Sequence, residues 1–190
     1  MESDVVGAGS RLLPHQDYEF IKAKVPILCV DVLLSPKGDP QRVGLIRRMT
    51  YNGGEGWCLV GGRVLRNEPL TDAVTRHVLA TLGEGVTVDR STLEFQTIAE
   101  YFSERFEDEL YDPRKHAVAL TYTAFCDGEP TPLGEAEEFG WFEIGELSRL
   151  SFGFGQGKVV SRLLEMRQGS SVTAPAGTTY SVGVLGSRKL

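Results

Sequence analysis

The sequence has no apolar run approaching the roughly 18 residues that cross a bilayer as a helix, so no membrane span is expected. It has no surplus of basic residues: 20 Lys and Arg stand against 26 Asp and Glu, a net charge of −6. Nucleic-acid binding through counterion release is thereby disfavoured. Cysteine is scarce, and its three copies, Cys29, Cys58 and Cys126, show no Cys-x-x-Cys spacing. Each sits in apolar, strand-like surroundings, which argues against zinc and for buried thiols in a reducing cytoplasm. No basic segment followed by an apolar core opens the chain, so no secretory signal is expected. Internal repeats are also absent. What remains, 190 residues at 41% hydrophobic and 24% charged, suits one globular domain with a sizeable core.

Residues 1–12 are rich in Gly and Ser and are expected to be flexible; a domain is expected over 13–168, and a disordered tail over 169–190. Within the domain, His15–Lys24 reads as a short helix with Tyr18, Phe20 and Ile21 available for packing, stopped by Pro26. Ile27–Leu34 is nearly continuous apolar sequence broken by Asp31, as in a strand buried on both faces. Ser35–Pro40 is a turn, and Arg42–Arg48 returns as the next strand. Thr92–Phe102 and His116–Cys126 alternate as strands around an acidic excursion, Ser103–Lys115, read as solvated. Glu129–Glu138 is a loop and Phe139–Phe142 a short strand. A helix from about Lys158 to Arg167 closes the domain, with Val159, Val160, Leu163, Leu164 and Met166 expected inward.

Between these elements lies Trp57-Cys58-Leu59-Val60, a strand that runs into Gly61-Gly62-Arg63-Val64 and then a helix. The helix is predicted to begin near Pro69 at a first helical position, with Leu70, Val74, Val78 and Leu82 as its core stripe and Gly83 or Gly85 at its end. The spacing of Gly62, Glu68, Arg76 and Gly83 resembles the Nudix box, Gly-x5-Glu-x7-Arg-Glu-apolar-x-Glu-Glu-x-Gly. The resemblance implies an α/β fold, a Nudix-like α/β/α sandwich with a mixed β-sheet. The three helix glutamates of that box fall on His77, Ala80 and Thr81. Those positions share one helix face, and Mg²⁺ wants oxygen ligands in near-octahedral geometry. An imidazole, a methyl and a hydroxyl do not supply them. Glu68 and Arg76, the pair that braces the loop in the family, are retained.

Within that family the chain most resembles GDP-mannose mannosyl hydrolases, from about Leu12 to Leu164, which cleave a sugar C1–O bond and also lack part of the glutamate cluster. The resemblance implies Arg48 and Arg63 as a diphosphate clamp, since guanidinium forks onto phosphate oxygens and keeps its proton. Asp31 would touch the sugar or organise those arginines, because a carboxylate inside an apolar strand is costly unless paired. The backbone carbonyl of the Gly61-Gly62 segment would ligate Mg²⁺, the implied cofactor. The family's helix ligand falls on Thr81, and its loop ligand and base fall near Glu135-Ala136. Substitutes are Glu135, Glu137 or Glu138 for the metal, and His116 or Glu137 as base. Each of these loop acids reads equally as a solvated side chain, and His77 reads first as a helix residue with a satisfied ring.

Three functions follow from this reading. The first is that of a Nudix-type hydrolase of a nucleoside diphosphate linked to a sugar or similar moiety, expected to work with a rearranged metal site. Alternatively the chain is an inactive module that binds a nucleotide or nucleotide sugar, or a scaffold for protein contacts. The expected partner is a small-molecule nucleotide, with no nucleic acid and no membrane; the reading also allows a homodimer.

Overall fold

Ile27–Pro36 (β1) is the strand on which the sheet is laid out. In the computed structural model, which describes residues 12–167, seven consecutive residues of β1, Cys29–Ser35, are buried. Such a strand needs partners on both edges and cover on both faces. Ala117–Gly128 (β8) runs parallel to it, matching Asp31 with Thr121. On its other edge Val60–Arg63 (β4) runs antiparallel, matching Asp31 with Gly61 and Cys29 with Arg63. Arg42–Met49 (β2) follows through Leu34 and Gly44. Glu55–Cys58 (β3) and Glu138–Glu143 (β9) both pair antiparallel with β2. Beyond β8 lie Glu94–Phe102 (β6) and the short Leu110–Tyr111 (β7), while Val86–Val88 (β5) pairs with the far end of β8. The result is the expected mixed sheet.

Side-chain alternation sorts this sheet into two faces. Gly62 lies against the ring of His77, where a Cβ would approach Cε1 to 2.5 Å, so that face carries the box helix, Leu70–Leu82 (α2). Val74, Val78 and Leu82 are fully buried in the core between them, the stripe expected from their spacing. Gly61 and Asp31 point to the other face, closed by Gln156–Arg167 (α3), whose Gln156 accepts a hydrogen bond from the Leu59 N–H at 2.7 Å. His15–Lys22 (α1) lies outside the sheet, half-burying Tyr18 and Ile21.

Several sequence expectations shift. Pro69 is the residue before α2, with an extended ψ of 141°, rather than its first helical residue. Gly83 ends α2 with φ +79°, a left-handed value that glycine adopts without steric cost. Met166 is exposed and Leu164 half-buried, because α3 presents Val159, Val160 and Leu163 inward and those two lie at its margin. Phe20 is likewise exposed, with the Lys24 ammonium over its ring at 6.0 Å. The acidic excursion is exposed over 103–109, but its continuation is not solvated: Asp112 is buried. The expected flexible start and disordered tail lie in residues 1–11 and 168–190, outside the described residues, apart from Leu12. No helix among the described residues is long and apolar enough to cross a membrane.

The loop between β4 and α2 is held by the retained pair. Arg76 donates through Nε and Nη2 to the two oxygens of Glu68, at 2.6 and 2.9 Å, and through Nη2 to the Arg63 carbonyl at 2.9 Å. Glu68 also accepts from the Leu65 N–H at 2.9 Å, and its side chain is only 3% exposed. The Arg76 hydrogen bonds hold the Glu68 carboxyl down at about 2, against an ordinary 4.5. A depressed carboxylate stabilises the fold above its unfolded pKa, and that contribution disappears as pH falls through the folded value. Arg76→Ala is therefore expected to cost about 2–3 kcal/mol in urea unfolding at pH 7, less than a fully buried pair because Arg76 is partly exposed. Glu68→Gln should lose stability at neutral pH and converge with wild type near pH 2; a pH-independent difference would contradict the brace.

Candidate functional site

Asp31 is 8% exposed, and no ion pair within 4.0 Å neutralises it among the described residues. Burial pushes its pKa up from 3.8 to about 7; the Lys115 ammonium opposes the rise, Glu135 adds to it, and Tyr101 and Arg48 oppose it more weakly. The Tyr101 hydroxyl faces Asp31 but makes no hydrogen bond of ordinary geometry, and burial raises its own pKa well above 10. These residues come from five places: β1, the end of β2, β6, the loop before β9, and the segment entering β8.

Arg48 donates from Nη1 to Glu135 Oε1 at 2.6 Å, while its buried Nε has no partner. Its guanidinium lies 5.5 Å from the Phe154 ring centroid, and Arg114 lies 4.5 Å from the same ring. Arg114 in turn holds the buried Asp112 through two bonds of 2.8 Å. Phe154, at φ 55° and ψ 18°, takes a left-handed conformation that disfavours a bulky residue by about 1–2 kcal/mol. Gly153 and Gly155 flank it; a Cβ on Gly153 would come 2.7 Å from Cys58 Sγ.

Two further cations have no carboxylate partner within 4.0 Å among the described residues. Lys115 Nζ lies 3.7 Å from Cys29 Sγ. Arg63 stacks 4.1 Å from the Tyr18 ring and sits directly across β4 and β1 from Cys29, on the Asp31 face. Arg63 and Lys115 thus flank the same thiol, and Arg48 approaches from the other side of Asp31. In a chain of net charge −6, Lys115 and Arg48 are the cations that act most strongly on Asp31, with Arg63 on the neighbouring strand and Arg114 sharing the Phe154 ring with Arg48. Cys58, beside this cluster, is pushed up to about 12 by burial and is an inert thiol.

Arg48, Asp31 and Glu135 therefore meet, with Arg63 along the same row. The pairing expected between Asp31 and an arginine is not made; Arg48 pairs with Glu135, and Lys115 is the strongest opposite charge acting on Asp31. Glu137 instead faces Glu55 and Arg47, which also holds Glu138 at 3.3 Å. His116 binds Glu100 at 3.0 Å and packs on Phe102 at 5.0 Å. Neither Glu137 nor His116 is among the charges that act most strongly on Asp31. The reason is the turn: Glu135 follows Gly134, which has a left-handed φ of 62°, whereas the Glu137 N–H is already tied to the Arg47 carbonyl at 2.9 Å on the edge of β2. Sequence reasoning missed Lys115, Arg114, Tyr101 and Phe154. The basic run Arg114-Lys115-His116, directly after Asp112-Pro113, was a usable signal.

On the helix side, His77 Nε2 lies 2.9 Å from the Arg63 carbonyl. A carbonyl only accepts, so Nε2 carries the proton, and burial lowers the ring's pKa. Ala80 is exposed and Thr81 buried, with the Thr81 carbonyl accepting from the Leu133 N–H at 2.8 Å. That bond and Thr131 N–H to the Leu82 carbonyl, 2.8 Å, lay the loop before Glu135 on the end of α2. Among the described residues no three His, Cys, Asp or Glu side chains converge in a way that could hold a metal ion. An imidazole committed to a carbonyl, an exposed methyl and a buried hydroxyl on this helix face do not fit octahedral Mg²⁺.

A family model described as a domain of unknown function, DUF4916, matches residues 9–166. Agl8, a low-salt glycan biosynthesis protein of Haloferax volcanii, is 31% identical over 120 residues, 62% of this chain and 70% of that protein. Among solved structures, a possible asymmetric diadenosine tetraphosphate hydrolase from Jonesia denitrificans is similar at TM-score 0.63 and 27% identity, covering 78% of this chain and 99% of that one. The Nudix domain of Shewanella oneidensis NrtR, complexed with ADP ribose, gives 0.60 at 20% identity, covering 82% and 99%. The fold is therefore the Nudix fold.

The raised Asp31 pKa has a consequence for stability. The fold keeps this proton between pH 3.8 and about 7 while the unfolded chain releases it, so stability falls as pH rises across that window and is level above it. Asp31→Asn, a neutral isostere, should match wild type near pH 4 and exceed it by on the order of 3 kcal/mol at pH 8. Thermal melts across pH check this; a difference that shrinks with rising pH would contradict it.

Proposed function

This chain belongs to the DUF4916 family, and from that premise we propose that it binds a nucleoside diphosphate linked to a sugar and hydrolyses it. The observation that carries this reading is the set of cations around Asp31, two of which, Arg63 and Lys115, lack a carboxylate partner. Guanidinium and ammonium groups fixed in a partly dry site neutralise diphosphate oxygens without reorganising during reaction. Arg48, Arg63 and Lys115 hold the diphosphate, with Arg114 beside them. They also stabilise the charge that arrives on the departing nucleoside diphosphate when the sugar C1–O bond breaks. Asp31, protonated for part of the time near pH 7, hydrogen-bonds the sugar. Diphosphate binding draws Arg48 away from Glu135, freeing that carboxylate to take a proton as water oxygen bonds to C1. No step depends on Mg²⁺, for which the donors present do not fit.

The similarity to a glycan biosynthesis protein and to a domain solved with ADP ribose supports a sugar-linked diphosphate as the ligand class. A second reading, binding without turnover, is favoured by one observation: the box face of α2 carries His77, Ala80 and Thr81 in place of carboxylates. Calorimetry with GDP-sugars and ADP-ribose, followed by product analysis, separates the two. Free sugar plus nucleoside diphosphate is expected from the GDP-sugars, whose C1 is joined to the diphosphate, while ADP-ribose, joined through C5, serves as a binding probe; binding with no product from any GDP-sugar would establish the second reading. Arg63→Ala and Lys115→Ala should each weaken binding about tenfold to a hundredfold, the worth of one charged hydrogen bond. Unchanged affinity in both would remove the clamp. Glu135→Gln should bind normally and lose turnover.

A further inference from the structure

Beyond Phe154, on the side away from Asp31, aromatic rings and guanidinium groups alternate out to solvent. Phe154 carries Arg114 and Arg48 on its ring. Tyr51 meets Phe154 at 5.9 Å with an interplanar angle of 55°, and meets Tyr111 edge-on at 5.3 Å and 86°. The Arg105 guanidinium then lies 4.3 Å from the Tyr111 centroid. Tyr51 is 38% exposed although a large ring, on the turn that Thr50 closes onto the Gly54 carbonyl at 2.8 Å.

Arg105 is the informative residue. It is exposed and surrounded in sequence by Glu104, Glu107, Asp108 and Glu109, yet it forms no ion pair with any of them among the described residues. It rests on an aromatic face instead. The excursion that carries it is anchored at its far end, where Lys158 donates to the Asp108 carbonyl at 3.0 Å. A planar cation resting in contact on a ring face, on an exposed segment and with no carboxylate partner among the described residues, is held there by stacking alone, so a flat π-system can displace it and take its place on the ring.

We infer that the Tyr111 ring face on which Arg105 now rests, with Tyr51 at its edge, is the seat of the nucleobase, which displaces Arg105 from the ring on binding. The base stacks on Tyr111, Arg105 covers its outer face, and two ring contacts connect this seat to the cations that hold the diphosphate. This assignment rests on the diphosphate reading above and adds the part of the ligand which that reading leaves open. Stacking on an aromatic ring tolerates every base but favours the larger purine surface. The class of ligand is therefore a purine nucleoside diphosphate derivative ahead of a pyrimidine one.

Calorimetry on the full chain with GDP, ADP, UDP and inorganic pyrophosphate tests it. GDP and ADP should bind at least about tenfold more tightly than pyrophosphate, the range stacking supplies. Tyr111→Ala should abolish that margin with pyrophosphate affinity unchanged, and Tyr111→Trp should preserve it. Arg105→Ala, which removes an exposed side chain and leaves the core intact, should weaken GDP several-fold and pyrophosphate not at all. If wild type binds GDP and pyrophosphate equally, the base seat is wrong while the diphosphate clamp stands. If Tyr111→Ala weakens both ligands alike, the ring is structural and the inference fails. If nothing binds, the clamp fails and the base seat falls with it.

Discussion

A carboxyl group sunk into the strand that carries the sheet must be neutralised or given a proton, and the arrangement around Asp31 does a share of both. Water is excluded there because β4 and β8 close both edges of β1 and α3 covers the face. The side chains that offset the cost are long cations, which reach in from the ends of strands and from loops and keep their charged heads near the surface. Lys115 acts most strongly on Asp31, and Arg48 acts while shared with Glu135. A cluster assembled to tolerate one buried acid is thus also a cluster able to receive phosphate oxygens.

The box motif divides into two physical halves with different fates. Its bracing half, Glu68 and Arg76, is intact and nearly dry on the carboxylate side, tying the β4–α2 loop to the helix. Its metal-binding half is rebuilt as structure. His77 donates to the Arg63 carbonyl and closes against Gly62, while Thr81 is buried beneath the loop that presents Glu135. The backbone geometry of the motif survives because the brace and the glycines enforce it, independently of what the helix face binds. The cations nearest Asp31 stand not on the helix but on β2, on β4 and at the entry to β8.

Phe154 links the two ends of this surface. Its left-handed backbone is tolerated because glycines flank it and because Tyr51, Arg48 and Arg114 pack on its ring. Strain held in place by surrounding contacts is a common mark of ligand-contacting segments. Here it places one aromatic ring where Arg48 and Arg114 meet Tyr51 and, through it, Tyr111.

The sequence by itself determined the architecture: the buried run around Asp31, the four-residue stripe of α2, the paired glycines, and the Glu68 and Arg76 spacing are local periodicities that the fold reproduces. Asp31 is conspicuous there as an acid inside an apolar run, whereas Arg48, Arg63 and Glu135 are candidates only through the resemblance to a known family. Which of them meet was decided only by tertiary structure. The parallel pairing of β1 with β8 brings Lys115 and Arg114 beside a strand more than 80 residues away, a distance along the chain at which no local pattern operates. The turn at Gly134 and the bond from the Glu137 N–H to the Arg47 carbonyl send Glu135 toward the cluster and Glu137 away, and both depend on how the loop docks on β2 and α2. Periodicity is a property of neighbours in sequence; electrostatic company is a property of neighbours in space.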